Sequence, residues 1–320
     1  MKKKILPLLL VLCLILTGCS AGSAPGSSPE ELSSQVSQGV TFTDSEGEVL
    51  HIPDAPKVVS LYGSYAEAWM LAGGELAGVT VDAIEERDLD LPDTISMVGT
   101  VKEPNTEEII ALDPDLVLLS SDITAQADIR DVLENAGLSC AYFRVDTFED
   151  YDFMMQQFCA VTGRDDLYEE NVTQVAKQIE DVKLQSALSS NLPSVMLIRA
   201  FSSGIKAKSD DELAGVILKD LHARNIADEH PSMLEDLSME EVIAADPDFI
   251  FVTTMGSEKK ALAYLDSVIA ENPAWSQLSA VKNGNYIILP KDLFHYKPNN
   301  RWGESYEYLA KILYPTLFQD

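Results

Sequence analysis

The sequence predicts an α/β protein made of two similar lobes, each with a parallel sheet, joined by a single long α-helix. Three observations favour this fold class: a segment of the chain occurs twice, strand and helix patterns alternate on both sides of the middle, and the middle itself is helical. At 320 residues, the chain is also long for one hydrophobic core and suits two domains.

The repeated segment comprises residues 107–119 and 240–252, which are identical at seven of thirteen positions and exchange apolar residues at the others. Each copy carries a helix-capping signature: Asn105 with Glu108, and Ser238 with Glu241. Each helix pattern stops at an Asp-Pro pair, which disfavours the α conformation, and an apolar run follows. The repeat therefore predicts a short helix, a tight turn and a buried strand in both lobes.

The chain begins with three lysines, an apolar run and small residues, which together indicate a signal peptide over 1–19. Its ending, Leu-Thr-Gly-Cys, resembles a bacterial lipobox, in which Cys19 is lipidated and becomes the new N-terminus. An ordinary secretory signal that contains a cysteine is the alternative. Residues 20–38 are rich in Ser, Gly and Pro and predict a flexible tether of roughly 25 Å. We expect an extracytoplasmic protein anchored to the cell membrane by lipid.

The composition is strongly acidic, with 52 Asp and Glu against 23 Lys and Arg and a net charge of −29. Such a surface repels nucleic acid and anionic lipid, so we expect no nucleic-acid partner. Cys140 and Cys159 lie in apolar patterns that favour buried thiols, although a disulfide between them stays open. We expect a monomer.

Strand and helix patterns alternate from residue 39 to residue 147, the predicted N-terminal lobe, and again from 191 to 320, the predicted C-terminal lobe. In the first lobe we predict strands at 57–62, 76–80 and 139–145 and helices at 64–72 and 125–136. In the second we predict strands at 194–199 and 285–289 and helices at 211–223, 257–270 and 301–313. Each lobe also contains one copy of the repeat.

The segment between the lobes, 148–190, has the least strand-like pattern of the chain. A helix is predicted over 148–161, and 165–188 continues without Gly or Pro and with apolar residues at helical spacing. At 1.5 Å per residue the second helix would be roughly 35 Å long, about the width of a domain. It therefore predicts a rigid connection.

Several short motifs, in their order along the chain, resemble one family. They are Val58-Val59-Ser60-Leu61 with Glu67, Val98-Gly99, both Glu-Glu-x-Ile-Ala-x-Asp-Pro-Asp copies, Asn225-Ile226-Ala227, and Trp275 to Gly284. The chain is similar to the substrate-binding lipoproteins of ABC importers for iron–siderophore complexes, haem and cobalamin. The resemblance implies a ligand cleft between the lobes, little closure on binding, and a permease with its ATPase as partners.

Ligands of open parallel sheets lie outside the carboxyl ends of the strands, so the residues that follow each strand are candidates. The predicted ligand-binding residues are Tyr62, Ser64, Tyr65, Lys102, Ser121, Arg144, Arg199, Phe201, Thr254, His295, Tyr296, Arg301 and Trp302. The cations among them predict a positive, aromatic-lined rim in a negative body, suited to carboxylate or catecholate oxygens.

Each candidate has a plainer alternative. Arg144 and Arg199 could pair with neighbouring acidic residues, Tyr62 and Tyr65 could be ordinary half-buried tyrosines, and Trp302 could belong to the core of the last helix. Of the four histidines, His295 alone is placed to meet a ligand.

Glu107 and Glu240 occupy the first helical turns of the two repeats. The helix dipole favours acidic residues there without further purpose. The family resemblance implies instead that these glutamates, one per lobe, dock on arginines of the permease, while Glu108 and Glu241 cap their helices.

Among ligands the cationic rim favours a ferric siderophore. Haem is the second candidate, with Tyr62, Tyr65 or His295 as axial ligand. Cobalamin is the third, because the resemblance implies Trp and Tyr in the cleft of members that bind it, and the matching positions here, Val101 and Ser120, are not aromatic. No intrinsic cofactor is expected. A protein for bare zinc or manganese would need more His and carboxylate ligands at strand ends, and no catalytic motif indicates an enzyme.

Overall fold

The computed structural model describes residues 39–235, 237 and 239–318. The predicted signal peptide, the lipidation of Cys19 and the tether all lie outside the described residues, as does the predicted cap Ser238. Within the described ranges, no helix is both long and apolar enough to cross a membrane.

The N-terminal lobe is built on a five-stranded sheet whose strands are all parallel, in the order β5-β4-β3-β8-β9. Two antiparallel hairpins, β1 with β2 and β6 with β7, accompany it. The strands are β1 Val40–Thr43, β2 Val49–Ile52, β3 Val58–Ser60, β4 Leu76–Val79, β5 Ser96–Met97, β6 Gly99–Thr100, β7 Glu103–Pro104, β8 Leu116–Ser120 and β9 Cys140–Phe143. The helices are α1 Gly63–Leu71, α2 Asp82–Glu85, α3 Thr106–Leu112, α4 Thr124–Ala127 and α5 Arg130–Asn135.

A helical segment follows, comprising α6 Phe148–Thr162, α7 Asp165–Tyr168 and α8 Gln174–Ser186. The residues between α7 and α8, Glu169–Thr173, form a π-helical turn, so the helical path continues without a break. A π turn accommodates one extra residue. Here Asn171 is buried in that turn, and its Nδ2 donates a hydrogen bond to the carbonyl of Leu71 at 3.1 Å.

The C-terminal lobe has a sheet in the order β11-β10-β13-β14, in which β10, β13 and β14 are parallel and β11 is an antiparallel edge strand. Its strands are β10 Ser194–Phe201, β11 Gly204–Lys208, β12 Arg224–Asn225, β13 Phe249–Thr254 and β14 Tyr286–Ile288. Its helices are α9 Leu213–Asp220, α10 Ile226–Glu229, α11 Ser232–Glu235, α12 Met239–Ala245, α13 Glu258–Ala270, α14 Ser279–Lys282, α15 Lys291–Phe294 and α16 Trp302–Leu313. The predicted fold class is confirmed.

The two copies of the repeat form the same unit in equivalent places. In each, the helix (α3 or α12) ends at an aspartate with positive φ, 47° at Asp113 and 41° at Asp246, and the strand that follows (β8 or β13) lies inside its sheet. The second aspartate of each Asp-Pro-Asp then holds the neighbouring strand. Asp115 accepts a hydrogen bond from the backbone N–H of Lys57 at 2.8 Å, and Asp248 accepts one from that of Ser194 at 2.8 Å.

The lobes share apolar packing through the helical segment. One continuous cluster of buried side chains contains Trp69 of the N-terminal lobe, Phe158 of α6 and Trp302 of the C-terminal lobe. Each lobe also has its own cluster on the other face of its sheet. Because densely packed interiors resist deformation, this shared core makes the connection between the lobes stiff.

Asn299 provides a polar contact between the lobes. Its backbone has a φ of 52° and its side chain is fully buried. Its Nδ2 donates to the carbonyl of Ser64 at 2.9 Å and to Glu67 at 2.5 Å, and Glu67 also pairs with Arg87. A residue of the C-terminal lobe is thus bound inside the N-terminal lobe.

Candidate functional site

A cavity of about 330 Å³ lies between the lobes at the carboxyl ends of both parallel sheets. Its position is the one at which open α/β sheets bind ligands, and its volume is within the usual range for small-molecule sites. Its lining residues are Tyr62, Asp122, Ile123, Arg144, Asp146, Arg199, Asp211, Glu212, Leu213, Met255, Phe294, His295 and Lys297. We refer to this space as the cavity.

On the side of the N-terminal lobe, Arg144 follows β9 and is paired with two carboxylates. Its Nε lies 2.6 Å from Asp146 and 3.4 Å from Asp122. Lys297 of the other lobe approaches the second oxygen of Asp146 at 3.2 Å. Burial opposes ionisation of Asp146, but Lys297 and Arg144 outweigh it and hold the pKa of this carboxyl below its usual value.

On the side of the C-terminal lobe, Arg199 of β10 forms an ion pair with Glu212, the residue before α9. The side chain of Glu212 is only 3% exposed, and its other oxygen accepts a hydrogen bond from Thr253 at 3.2 Å. Burial raises the pKa of Glu212, and the charge of Arg199 opposes that rise.

Two titratable side chains of the cavity, His295 and Tyr62, are neutral. Burial, followed by the charges of Lys291, Arg199 and Lys297, lowers the pKa of His295 to about 4 from an ordinary value of 6.5. Burial raises the pKa of Tyr62 well above that of a free phenol. At neutral pH the cavity therefore offers an unprotonated imidazole and a protonated phenol.

The charges that line the cavity nearly cancel. Three cations, Arg144, Arg199 and Lys297, face four carboxylates, Asp122, Asp146, Asp211 and Glu212. Each cation has at least one carboxylate within ion-pair distance. The structure thus corrects the expected positive rim, because the acidic residues beside the cations were not counted with them.

Four of the predicted ligand-binding residues meet at the cavity: Tyr62, Arg144, Arg199 and His295. Ser64, Tyr65, Thr254 and Trp302 are instead buried beneath the surface, each at most 1% exposed. Tyr65 donates a hydrogen bond to the carbonyl of Phe143 at 3.0 Å, and the partly exposed Ser121 donates to the same carbonyl at 3.3 Å.

The other predicted residues lie outside the lining. Lys102 is exposed in the turn between β6 and β7, and Phe201 ends β10 at the hairpin. Tyr296 packs its ring under the ammonium of Lys291, 4.9 Å from the ring centroid. Arg301 pairs with Asp292 at 2.8 Å and with Glu304 at 2.6 Å. The binding roles of these residues remain predictions.

The carboxylates are the part of the cavity that sequence reasoning missed. Asp122 and Asp146 follow β8 and β9 about as closely as the predicted residues follow their strands. The rule that ligands lie outside the carboxyl ends of parallel strands therefore also indicated these two aspartates. Glu212 gave a weaker signal, since it precedes a helix and meets Arg199 through the strand β11 that was not predicted.

The two glutamates predicted to dock on a permease, Glu107 and Glu240, are both exposed in the first turns of α3 and α12. Asn105 caps α3 by accepting a hydrogen bond from the backbone N–H of Glu108 at 3.2 Å. The carboxylate of Glu241 accepts from Ser232 at 3.3 Å. Docking itself remains a prediction.

In the part of the chain that the structure describes, the cysteines form no disulfide and the possible metal ligands form no cluster. Cys140 and Cys159 are buried free thiols, and burial raises their pKa values to about 12 and about 11. Across the described ranges, no group of three or more His, Cys, Asp or Glu side chains could hold a metal ion.

Comparison with known proteins places the fold among binding proteins. Residues 58–293 match the sequence model of a family described as "Periplasmic binding protein". The Fe(3+)-citrate-binding protein YfmC of Bacillus subtilis is 25% identical over 292 residues, which cover 90% of this chain and 89% of that protein. The putative ABC transporter substrate-binding lipoprotein YhfQ of the same organism is 24% identical over 301 residues, covering 89% and 90%.

A solved structure has the same fold at lower identity. The petrobactin-binding protein YclQ of Bacillus subtilis superposes with a TM-score of 0.67 at 19% identity, covering 88% of this chain and 99% of that one.

Proposed function

This chain belongs to the periplasmic binding protein family, and from that premise we propose that it is the extracytoplasmic substrate-binding protein of an ABC importer. It captures a ferric chelate, with a siderophore complex favoured, and delivers it to a membrane permease that works with its ATPase. The observation that carries the proposal is the cavity itself, which lies at the carboxyl ends of both sheets and takes side chains from both lobes.

The side chains that line the cavity can bind a chelate without reacting with it. Arg144, Arg199 and Lys297 are donors for the oxygen atoms of a chelate, while Tyr62 offers flat apolar contact. A ligand that contacts both lobes adds contacts to an already stiff frame, so binding requires little movement. Binding alone accounts for these features, and we propose no catalytic step.

The arrangement of the whole chain follows the same proposal. A signal peptide with its lipobox occupies 1–19, Cys19 carries the lipid, and 20–38 form the tether. The N-terminal lobe (39–147), the helical segment (148–190) and the C-terminal lobe (191–320) form the binding body. The similarity to a protein named as a lipoprotein supports the anchor. The exposed positions of Glu107 and Glu240, one per lobe, support their docking on the permease.

Calorimetric titration of the protein without its first 19 residues tests the proposal. The panel is ferric citrate, a ferric catecholate, a ferric hydroxamate, haem and cobalamin. Calorimetry is preferred to tryptophan fluorescence because Trp69, Trp275 and Trp302 are all buried and none lines the cavity. We expect one-site saturation by at least one ferric chelate. Absence of saturation by every member of the panel would refute the proposal.

A matched pair of variants locates the binding site. Arg144→Ala removes a cation that lines the cavity, and Arg164→Ala removes one that forms the same kind of ion pair, with Asp166 at 2.6 Å, beside α7. We expect Arg144→Ala to weaken binding of the chelate by about 10-fold, equivalent to one charge-assisted contact. Arg164→Ala should leave affinity unchanged.

Haem is the second candidate because three groups able to bind its iron line the cavity. The imidazole of His295 is held neutral, Tyr62 offers a phenol oxygen, and Met255 contributes a thioether. If haem is the ligand, its addition produces a saturable shift of the Soret band that His295→Ala abolishes. Saturation by cobalamin alone would keep the transport class and exclude both iron ligands.

A further inference from the structure

The arrangement of charge in the cavity narrows the chemical class of the chelate. Resting on the proposed function, we infer that the ligand is a neutral or monocationic ferric complex of hydroxamate type. We further infer that Glu212 and Asp146 are the residues that exclude polyanionic ferric complexes.

The first argument concerns Arg199. An anionic ligand that takes this guanidinium must draw it away from Glu212, whose side chain is 3% exposed. The carboxylate would then be buried without its ion-pair partner, keeping its hydrogen bond from Thr253 and the weaker attraction of Lys208. Leaving one partner of a buried pair uncompensated is strongly unfavourable. Arg199 is therefore a poor receptor for a competing anion.

The second argument concerns the two remaining cations. Arg144 and Lys297 both lie within ion-pair distance of Asp146, and Arg144 also contacts Asp122. The side chain of Lys297 is only 16% exposed, so its charge is directed at that carboxylate rather than at solvent. One carboxylate thus joins a cation from each lobe across the cavity. A polyanion would have to displace Asp146 from both.

The third argument concerns what remains available to a ligand. Asp211 adds a fourth carboxylate and His295 is uncharged, so the lining has no net positive charge. The chain as a whole carries −29, which repels polyanions at longer range. A ferric hydroxamate offers carbonyl oxygens to the guanidinium groups and N–H or ammonium donors to the carboxylates. It can add to these ion pairs without separating them.

A series of ferric chelates of different charge tests the inference by calorimetry at fixed ionic strength. The probes are a neutral ferric trihydroxamate, a monocationic one with a free amine, ferric citrate, and a trianionic ferric tris-catecholate. We expect both hydroxamates to bind at least about 10-fold tighter than the tris-catecholate, since like charges in an interface oppose association. In Glu212→Gln and Asp146→Asn, affinity for the tris-catecholate should rise by about 10-fold for each charge removed.

Glu180→Gln is the matched control. Glu180 is exposed on α8 and lies outside the lining, and its substitution changes the net charge by the same amount. Salt provides a measurement that needs no variant. Screening should strengthen binding of the tris-catecholate to the unaltered protein and leave that of the neutral hydroxamate unchanged.

The outcomes separate this inference from the proposed function. If the tris-catecholate or ferric citrate binds tightest to the unaltered protein, or if salt weakens their binding, the inference is wrong and the transport function stands. If none of the ferric chelates binds, the proposed function itself fails.

Discussion

Each lobe contributes one arginine to the lining of the cavity, Arg144 just after β9 and Arg199 near the end of β10, and the two arginines have different surroundings. The side chain of Arg144 is 64% exposed, and its partners Asp146 and Asp122 are 32% and 37% exposed. Arg199 is 25% exposed and its partner Glu212 only 3%. Exposed pairs typically contribute about 0–1 kcal/mol, whereas breaking a buried pair is costly. An arginine that lines the cavity is thus adaptable in the N-terminal lobe and structurally required in the C-terminal lobe.

The largest expected effect comes from breaking the buried pair. Arg199→Met should lower the free energy of unfolding by about 3–5 kcal/mol, because Glu212 is left buried without its ion-pair partner. Arg144→Met should lower it by less than about 1 kcal/mol. Denaturant unfolding at neutral pH measures both. Adding Glu212→Leu to Arg199→Met should restore most of the loss, and equal effects of the two arginine variants would remove the distinction between the lobes.

The second effect concerns Asn299, the buried residue of the C-terminal lobe that hydrogen-bonds to the N-terminal lobe. Asn299→Ala should destabilise the protein by about 3 kcal/mol, since the Ser64 carbonyl and Glu67 each lose the hydrogen bond from Asn299 and alanine is strained at positive φ. Asn299→Gly relieves the backbone strain but does not restore the hydrogen bonds, so it should recover about 1 kcal/mol of the stability lost in Asn299→Ala. Asn300→Ala, which loses only the bond to Asn171, is the control. Loss of less than about 1 kcal/mol in Asn299→Ala would show that the apolar core alone joins the lobes.

The third effect is a pH dependence that belongs to the C-terminal lobe. Because the folded-state pKa of His295 is depressed to about 4, the unfolded chain binds more protons between pH 4 and 6.5, and stability falls as the pH falls through that window. From pH 7 to pH 5 the contribution of His295 should fall by about 2 kcal/mol. In His295→Gln, the unfolding free energy should fall between pH 7 and pH 5 by about 2 kcal/mol less than in the unaltered protein. An unchanged slope would mean that His295 is solvated like a free histidine.

The smallest effect compares the two copies of the repeat. Asp248 accepts hydrogen bonds from both the N–H and the hydroxyl of Ser194, whereas Asp115 accepts from the N–H of Lys57. Asp248→Ala should therefore cost about 2 kcal/mol and Asp115→Ala about 1 kcal/mol, as measured by thermal or denaturant unfolding. The reverse order would mean that the strand ends are held by packing rather than by these carboxylates.

Prediction from sequence worked best where neighbouring residues decide the structure. The Asp-Pro pair ends a helix through local sterics, so both copies of the repeat were predicted as helix, turn and strand. The helix predicted over 125–136 is instead divided into α4 and α5. The side chain of Gln126 in α4 donates to the carbonyl of Leu61 and accepts from the N–H of Ser120. That contact with Leu61 spans 65 positions of the chain and has no local signature.

By itself the sequence determined the two-lobe plan, the central helix and the edge of each sheet at which the cavity lies, because these depend on periodicity and on the direction of parallel strands. Tertiary structure alone decided the charge of the cavity. Lys297 meets Asp146 across 151 positions, and Arg199 meets Glu212 only after β11 has folded back along β10. A cation's partner depends on distance in space, which the order of residues along the chain does not record.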